Sequence, residues 1–330
     1  YDGALLTADS LWRGARGQLG AAALEQPCET QAGVVGGMGP FAGSLYLQTL
    51  LDGLDAHARA LAAANATRRA AAADGSCVEV YSNPQLEVNR SQLLRSIGST
   101  ERHLLEIQSF LGRPAIHSFA GPSNAWHELS YRTLSAEQSR DSSGHVRLIN
   151  MIAAVVERSL HVTRTPGGSY GIVATDATLA NIEQKEGLRP TRANMYRLNW
   201  EQRNAKLARL DKEHRYVDLL PPRALRNGQF LGRQERLGIE HVKAGDIERA
   251  RDAFAQVYIG FKLAGIQHVI AACTEVAVAF TELEVRERFN ITMYDSSRLL
   301  ADEQLERMSR AIDEKAGRNE AEDAARRRGG

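Results

Sequence analysis

Short apolar runs that end in small or polar residues recur along this 330-residue chain. They alternate with segments of about 10 to 20 residues that have helical spacing. Strands separated by helices of this length pair in parallel, so the pattern predicts an α/β fold. The predicted strands are residues 32–35, 77–81, 115–120, 170–174, 216–220, 268–272 and 290–296.

Two of these runs end in similar corners about 150 residues apart, Ser123-Asn124 and Cys273-Thr274. Parallel α/β sheets bind ligands at the carboxyl ends of their strands. Two similar lobes that face each other across a cleft would bring the two corners together. We therefore predict two such lobes, each a parallel sheet flanked by helices, with the active site in the cleft between them.

The order of strands and helices also predicts domain boundaries. Residues 1–31 have no clear period and are expected to form an N-terminal extension. Residues 32–155 plus about 292–312 are assigned to the first lobe, and 156–291 to the second. Residues 313–330 are charged and Gly-terminated, and are predicted to be a disordered tail. Within the second lobe, the charged stretch 190–214 is predicted to be an exposed helical insertion.

Composition excludes several classes of function. A formal net charge of +1 gives no reason to expect nucleic acid or an anionic membrane as a partner. Three widely spaced cysteines argue against a disulfide framework or structural zinc site, and for a reducing compartment. No apolar run reaches about 18 residues, and the first residues lack the pattern of a secretory signal. A soluble cytoplasmic protein is the expectation.

The stretch Val269 to Ala277 carries the strongest chemical signal. An apolar strand ends in Cys273, and Thr274 and Glu275 follow at the start of a predicted helix. Unpaired backbone N–H groups and the positive end of the helix dipole favour a thiolate at such a corner. A buried structural cysteine is the alternative interpretation.

A glycine-rich turn, Gly36 to Gly39, follows the first strand. Glycines permit close backbone approach to a ligand, and the next helix begins with an end that favours anions. The turn matches neither a GxGxxG fingerprint nor a P-loop. After the second strand, Arg90 is placed where an arginine can clamp a carboxylate, and an exposed surface arginine is the alternative interpretation. No metal cluster, nucleotide loop or PLP lysine context is visible, so no cofactor is predicted.

A set of six short motifs, taken in order, resembles the aspartate/glutamate racemase superfamily. The motifs are Gly36-Gly37-Met38-Gly39-Pro40, Ser82-Asn83-Pro84, Ser123-Asn124-Ala125-Trp126-His127, Ala174-Thr175-Asp176-Ala177-Thr178, Cys273-Thr274-Glu275 and Asp295-Ser296-Ser297. The resemblance spans roughly Gly33 to Ala301. Glu275 makes the aspartate racemase branch the most similar, because glutamate racemases usually have His after Cys-Thr.

The resemblance implies a cofactor-independent racemase with one cysteine per lobe on opposite faces of the substrate's α-carbon. One thiolate removes the α-proton and the other thiol returns a proton, while corner N–H groups and side chains hold the α-carboxylate. The family is usually homodimeric. The substrate-binding residues it implies here are Met38, Gly39, Asn83, Arg90, Asn124, His127, Thr175, Thr178, Thr274 and Glu275.

The sequence departs from the family pattern at three places. Ser123 stands where the family has its first-lobe cysteine, so the catalytic pair becomes Cys273 and Ser123. A serine hydroxyl is a far weaker acid than a thiol, although a neighbour such as His127 can assist it. Arg90 lies one residue farther from its motif than usual. Asp176 would repel an acidic substrate if it pointed into the cleft.

Three functions remain open on this basis. The first is a racemase or epimerase acting on an acidic amino acid such as aspartate or glutamate. The second is a single-cysteine decarboxylase, isomerase or lyase acting on a dicarboxylate, in which Cys273 donates a proton. This resembles arylmalonate decarboxylase, which keeps only the second-lobe cysteine. The third is a non-catalytic protein that binds a small carboxylate.

Overall fold

Two parallel sheets organise the part of the chain that the structure describes. The computed structural model describes residues 30–35, 40–64, 76–81, 116–120, 148–160, 169–179, 195–210 and 217–329. Within these residues, the strands alternate with helices, as the sequence pattern predicts. The α/β fold class is therefore confirmed.

The first sheet contains β1 (Thr30–Val35), β2 (Ser76–Tyr81) and β3 (Ile116–Ala120), in the order β2-β1-β3. Both neighbours of β1 run parallel to it. Val35 pairs with Tyr81, and Val34 pairs with Ala120, so the three strands end at a common edge. Helix α1 (Pro40–Ala64) follows β1, and its first residue is a proline, which helix starts favour.

The second sheet contains β4 (Tyr170–Ala174), β5 (Leu219–Leu220), β6 (His268–Ala272) and β7 (Thr292–Asp295), in the order β5-β4-β6-β7. All of its described pairs are parallel. Every residue of β4 is buried, as expected of a strand covered by helices on both faces. The predicted strands 170–174 and 268–272 are confirmed, whereas the predicted strand at 216–220 is reduced to two residues.

Helices connect these strands along the chain. They are α2 (Met151–Leu160), α3 (Asp176–Leu179), α4 (Met195–Leu210), α5 (Gly228–Lys243), α6 (Ile247–Leu263), α7 (Thr274–Ala279), α8 (Glu282–Phe289) and α9 (Ser296–Gly329), with a 3-10 turn at Pro222–Ala224.

The long segment between β5 and β6 is divided into two helices at Gly245. Its backbone has φ +79°, a left-handed conformation that glycine adopts easily. The next residue, Asp246, caps α6 by accepting a hydrogen bond from the backbone N–H of Arg249. These two residues therefore set the boundary between α5 and α6.

The two faces of the second sheet belong to two hydrophobic clusters. Ile172 and Ile270 contribute to one cluster, together with residues of α1, α2 and α4. Val173 and Ala271, the next residues along the same strands, contribute to the other, together with α5, α6 and α8. This division follows from the alternation of side chains along a strand.

Helix α4 does not form the exposed insertion predicted for residues 190–214. Met195, Tyr196 and Trp200 are buried in the first cluster. Trp200 Nε1 donates a hydrogen bond to the carbonyl of Val217, at 2.6 Å. The prediction was wrong because it relied on the high charge of this segment. The helix also has a narrow apolar face, which a count of charged residues does not reveal.

The C-terminal region differs from the predicted organisation in two ways. Strand β7 pairs with β6 in the second sheet, although we assigned residues from about 292 to the first lobe. Helix α9 then packs against α1, β1 and β3 of the first sheet. It continues to Gly329 where a disordered tail was predicted from 313. The tail is rich in Ala, Glu and Arg, which are strong helix formers, and it contains no proline.

Candidate active site

Three neighbouring strands of the second sheet end in the predicted motifs. Ala174 of β4 pairs with Ala272 of β6, so Thr175 and Cys273 are the next residues on adjacent strands. Neighbouring strands lie about 5 Å apart. On the other side of β6, Asp295 pairs with Ala271. Thr175, Cys273 and Asp295 therefore lie along one carboxyl edge. The sequence predicts this for Thr175 and Cys273, whereas we assigned Asp295 to the first lobe.

Cys273 is a buried thiol at the turn between β6 and α7. Its backbone is extended, with φ −142° and ψ 125°, and its carbonyl accepts a hydrogen bond from Val276 N at 3.0 Å. Cys273 Sγ donates to Glu275 Oε2 at 2.9 Å, and Thr274 Oγ1 donates to the same oxygen at 3.1 Å. All three residues of the motif are buried.

The negative charge of Glu275 opposes the thiolate that the sequence predicts at Cys273. The sequence predicts a helix start that favours a thiolate, but α7 is only six residues long. A carboxylate that accepts the S–H hydrogen bond favours the protonated thiol, because two adjacent negative charges repel. In this arrangement, the S–H group is the hydrogen-bond donor and Glu275 Oε2 is its acceptor.

Thr175 and Thr178 form one turn of helix immediately after β4. Their Oγ1 atoms are 3.1 Å apart, and Thr178 N donates to both the carbonyl and Oγ1 of Thr175. Thr178 is buried and Thr175 is half-buried. The hydroxyls thus lie on the same side of the turn, next to the strand that carries Cys273.

Asp176 lies in this turn, but its side chain is exposed and faces two arginines. Its carboxylate is 4.0 Å from Arg223 Nη1 and 3.8 Å from Arg236 Nη1. Arg223 Nη2 also donates to the carbonyl of Leu179, at 3.1 Å. The repulsion of an acidic substrate that Asp176 could cause is therefore offset by two positive charges.

Glu235 is a buried carboxyl group that the sequence analysis missed. It lies on α5, and its Oε1 accepts a hydrogen bond from Ala174 N at 2.8 Å. Burial is the main cause that raises the pKa of Glu235 to about 8, and the Ala174 hydrogen bond and Arg223 oppose the shift. A signal was present in the sequence, because Glu235 falls on the same helical face as Leu231 and Ile239.

Asp295 is a further buried carboxyl group at this edge. Its Oδ1 accepts a hydrogen bond from Ser297 N at 2.9 Å, and its own N–H donates to Glu282 Oε1 at 3.1 Å. Burial raises the pKa of Asp295 to about 6, against the opposing effect of the Ser297 hydrogen bond. The motif Asp295-Ser296-Ser297 therefore contributes a polar group beside the Cys273 strand.

The remaining predicted site residues lie outside the described part of the chain. They are Met38, Gly39, Asn83, Arg90, Ser123, Asn124 and His127. Each follows the carboxyl end of β1, β2 or β3, and these strand ends are in register. Their participation in the site stays a prediction.

Among the described residues, no group of three or more His, Cys, Asp or Glu side chains is arranged to hold a metal ion. Over the same residues, no helix is both long and apolar enough to cross a membrane.

Comparison with solved structures shows which fold this arrangement belongs to. An aspartate racemase homologue from Pyrococcus horikoshii matches 84% of this chain and 99% of its own, with a TM-score of 0.52 and 15% identity. A candidate Asp/Glu racemase from Yersinia pestis matches the same shares, with a TM-score of 0.53 and 15% identity. The fold is that of the aspartate/glutamate racemases. No protein-family model and no curated protein sequence matches the chain.

Proposed function

We propose that this protein is a cofactor-independent racemase or epimerase that acts on an acidic amino acid such as aspartate or glutamate. One observation carries the proposal: a buried thiol, Cys273, is hydrogen-bonded to a carboxylate at the carboxyl edge of a parallel strand, in a racemase-like fold. Such a pair can both accept and return a proton at a substrate carbon.

In the proposed reaction, Cys273 exchanges a proton with the substrate's α-carbon. Proton transfer from Sγ to Glu275 Oε2, which are 2.9 Å apart, leaves a thiolate beside a neutral carboxyl group. The thiolate then takes the α-proton of an L-amino acid, and the electron pair of the broken C–H bond becomes a carbanion stabilised by the α-carboxylate. Burial of the three-residue motif keeps water away from these groups.

Ser123 is the proposed proton donor on the opposite face of the carbanion. Its hydroxyl gives a proton to the α-carbon, and His127 supplies a proton to the serine oxygen in turn. Because a hydroxyl is a weaker acid than a thiol, this step is expected to be slower than its counterpart at Cys273. The proposed enzyme is therefore asymmetric, with faster exchange at the L-substrate.

Substrate binding is assigned to groups from both proposed lobes. Thr175, Thr178 and Thr274 present hydroxyl or backbone donors for the α-carboxylate from the second lobe. The first-lobe residues proposed for binding are Met38, Gly39, Asn83, Arg90, Asn124 and His127. Support for an acidic substrate comes from Arg223 and Arg236, which offset the charge of Asp176. We further propose a homodimer, on the basis of the family resemblance.

A second candidate is a single-cysteine decarboxylase, isomerase or lyase acting on a dicarboxylate. The hydrogen bond from Cys273 Sγ to Glu275 favours it, because this bond stabilises the protonated thiol. Loss of carbon dioxide would create a carbanion, and Cys273 would protonate it without any base at position 123. This reaction uses the proton that the thiol already holds.

Proton NMR in deuterium oxide distinguishes these functions. Purified protein is incubated with L- and D-amino acids, including aspartate and glutamate, and separately with arylmalonate-type diacids. The proposed racemase removes the α-proton signal of an L-amino acid and slowly produces the D-form. Chiral chromatography of the same samples identifies that product.

Cys273→Ala is the matched variant, because it removes the thiol and leaves the backbone unchanged. It is expected to abolish exchange at the α-carbon. Exchange that persists in this variant contradicts the proposed role of Cys273. Deuterated product from a diacid, with no exchange in any amino acid, moves the assignment to the decarboxylase. No reaction in either panel leaves a non-catalytic carboxylate-binding protein.

A further inference from the structure

At its carboxyl end, strand β4 has no pairing partner within the described part of the chain on the side that faces β5. Tyr170 N donates to the carbonyl of Asp218 at 2.7 Å, on the side that faces β5. Alternate residues of a strand direct their N–H groups to the same side, so the N–H of Ala174 also faces β5. Strand β5 ends at Leu220, however, and two prolines follow it. The sheet thus provides no backbone acceptor there among the described residues.

Glu235 occupies the place of that missing strand. Its Oε1 accepts the hydrogen bond from Ala174 N at 2.8 Å, and its side chain is only 2% exposed. Burying a carboxyl group in this way is unfavourable, and an amide or hydroxyl acceptor would be less costly. A carboxyl group at this position therefore suggests a role beyond completing the sheet.

Close packing of helix α5 against the 3-10 turn places Glu235 near the end of β4. A Cβ atom added to Gly228 would lie 2.0 Å from the carbonyl oxygen of Arg223, so only glycine permits this close approach. Gly232, one turn later, also faces Arg223. Glu235 follows about two turns after Gly228 on the same face of the helix. The contact between α5 and the 3-10 turn thus sets how close Glu235 comes to β4.

The position of Ala174 connects Glu235 to the proposed chemistry. Ala174 precedes Thr175 in the chain and pairs with Ala272, which precedes Cys273. A displaced strand end would move the Thr175 turn relative to the thiol. Errors of about 1 Å in such geometry lower catalytic rates by up to about 100-fold.

We propose that Glu235 is a positioning residue: by binding the last N–H of β4 it holds the Thr175–Thr178 turn in register with Cys273, and its charge state sets how well the site accepts an anionic substrate. This inference rests on the proposed function. It concerns a residue that does not itself contact the reacting atoms.

The charges around Glu235 support the second part of the proposal. Arg223 from the 3-10 turn, Asp176 from α3 and Arg236 from its own helix are the charged groups that act on it. With Glu235 protonated, Arg223, Arg236 and Asp176 together carry one net positive charge, which favours an anionic ligand. Ionisation of Glu235, whose pKa is raised to about 8, cancels that charge. Binding of an acidic substrate should therefore weaken above this pH.

Two variants of Glu235 and one control separate the proposed role from a purely structural one. Glu235→Leu removes the acceptor, whereas Glu235→Gln keeps an acceptor oxygen and cannot ionise. Glu240→Leu is the control, since Glu240 is an exposed carboxylate on the same helix. Hydrogen-exchange mass spectrometry of peptides spanning residues 170–179 measures how strongly the backbone amides of β4 and the following turn are protected from exchange. kcat and KM are measured for α-proton exchange between pH 6 and pH 10.

In Glu235→Leu, we expect about tenfold faster amide exchange in these peptides, and kcat about 10- to 100-fold lower. Glu235→Gln should restore both. In the wild type, KM for an acidic amino acid should rise several-fold from pH 7 to pH 9.5, and this rise should be absent in Glu235→Gln. The control should resemble the wild type in every measurement.

Two results would overturn the proposal. The first is a folded Glu235→Leu variant whose amides in residues 170–179 exchange at the same rate as those of the wild type. The second is the same rise of KM with pH in Glu235→Gln as in the wild type. If the wild type exchanges no α-proton, the proposed function fails and the amide-exchange measurement alone decides the role of Glu235. If Glu235→Leu does not fold, the KM profile of Glu235→Gln decides it.

Discussion

Glu275 accepts hydrogen bonds from Cys273 and Thr274, and this contact affects how readily the Cys273 thiol can give up its proton. The family resemblance implies that Glu275 binds the substrate. The structure suggests a second role, because its Oε2 accepts the hydrogen bond of the thiol at 2.9 Å. The reactivity of Cys273 should therefore depend on the charge two residues away.

Replacing Glu275 with Gln tests this dependence directly. The amide keeps the shape of the side chain but removes the negative charge that disfavours a thiolate. We expect alkylation of Cys273 by iodoacetamide at pH 7 to become about tenfold faster. Peptide mapping assigns the label to Cys273. Glu287→Gln, on the exposed surface of α8, is the control, and an unchanged rate in Glu275→Gln would contradict the proposed electrostatic coupling.

Ser123 provides a second test, because it is the proposed proton donor. If it donates the proton on the opposite face, Ser123→Cys should raise the rate of D-product formation by at least about tenfold, because a thiol is the better acid. Ser123→Ala should stop formation of the D-form while α-proton exchange in the L-substrate continues. Chiral chromatography and proton NMR follow the two processes separately. A D-product rate that is the same in all three proteins would exclude Ser123 from the reaction.

One glutamine connects helix α9 to the first sheet. Gln304 is fully buried, and its Nε2 donates to the carbonyl and Oγ of Ser118 on β3, at 3.2 and 3.3 Å. Tyr46 of α1 donates a hydrogen bond to Gln304 Oε1. Because α9 begins directly after β7 of the second sheet, this network helps to attach one sheet to the other.

Gln304→Leu should therefore destabilise the fold. The substitution preserves most of the volume but leaves the Tyr46 hydroxyl and the Ser118 carbonyl without this partner in a buried position. We expect the free energy of unfolding to fall by about 2 to 4 kcal/mol. Urea denaturation measures it, and Glu314→Ala, on the exposed face of α9, should change it by less than about 0.5 kcal/mol. Equal stability of the two variants would show that the network contributes little.

For the molecule as a whole, buried carboxyl groups should make stability fall as pH rises. Burial raises the pKa of Glu235 from 4.5 to about 8, and that of Asp295 from 3.8 to about 6. Between each pair of values, the folded protein retains a proton that the unfolded chain has lost. The free energy of unfolding therefore decreases with increasing pH across both windows.

Glu235→Gln isolates the larger of these effects, because the amide does not ionise. Relative to the wild type, its free energy of unfolding should improve progressively from about pH 5 to pH 8, by at most about 5 kcal/mol. Thermal unfolding at several pH values measures the difference. Glu240→Gln, on the same helix, should show no such trend. If the difference in the free energy of unfolding between Glu235→Gln and the wild type is the same at every pH, the pKa of Glu235 is the same in the folded and unfolded protein.

Most of the second sheet could be predicted from the sequence. Strands such as Tyr170–Ala174 and His268–Ala272 are continuous apolar runs bounded by small or polar residues, which is a local signal. The corner residues Thr175, Thr178 and Cys273 could be placed for the same reason, since they follow those runs directly. Helix α4 was misjudged because its charged residues outnumber the apolar ones that anchor it.

Local sequence signals were sufficient to predict the α/β class, the position of the Cys273 corner and the edge of the sheet at which the proposed site lies. These depend on interactions between residues that are close in the chain. Three features are visible only in the folded protein: Glu235 contacts Ala174, Gln304 contacts Ser118, and β7 pairs within the second sheet. Such contacts join residues far apart in sequence, and packing of whole helices against the sheets sets them.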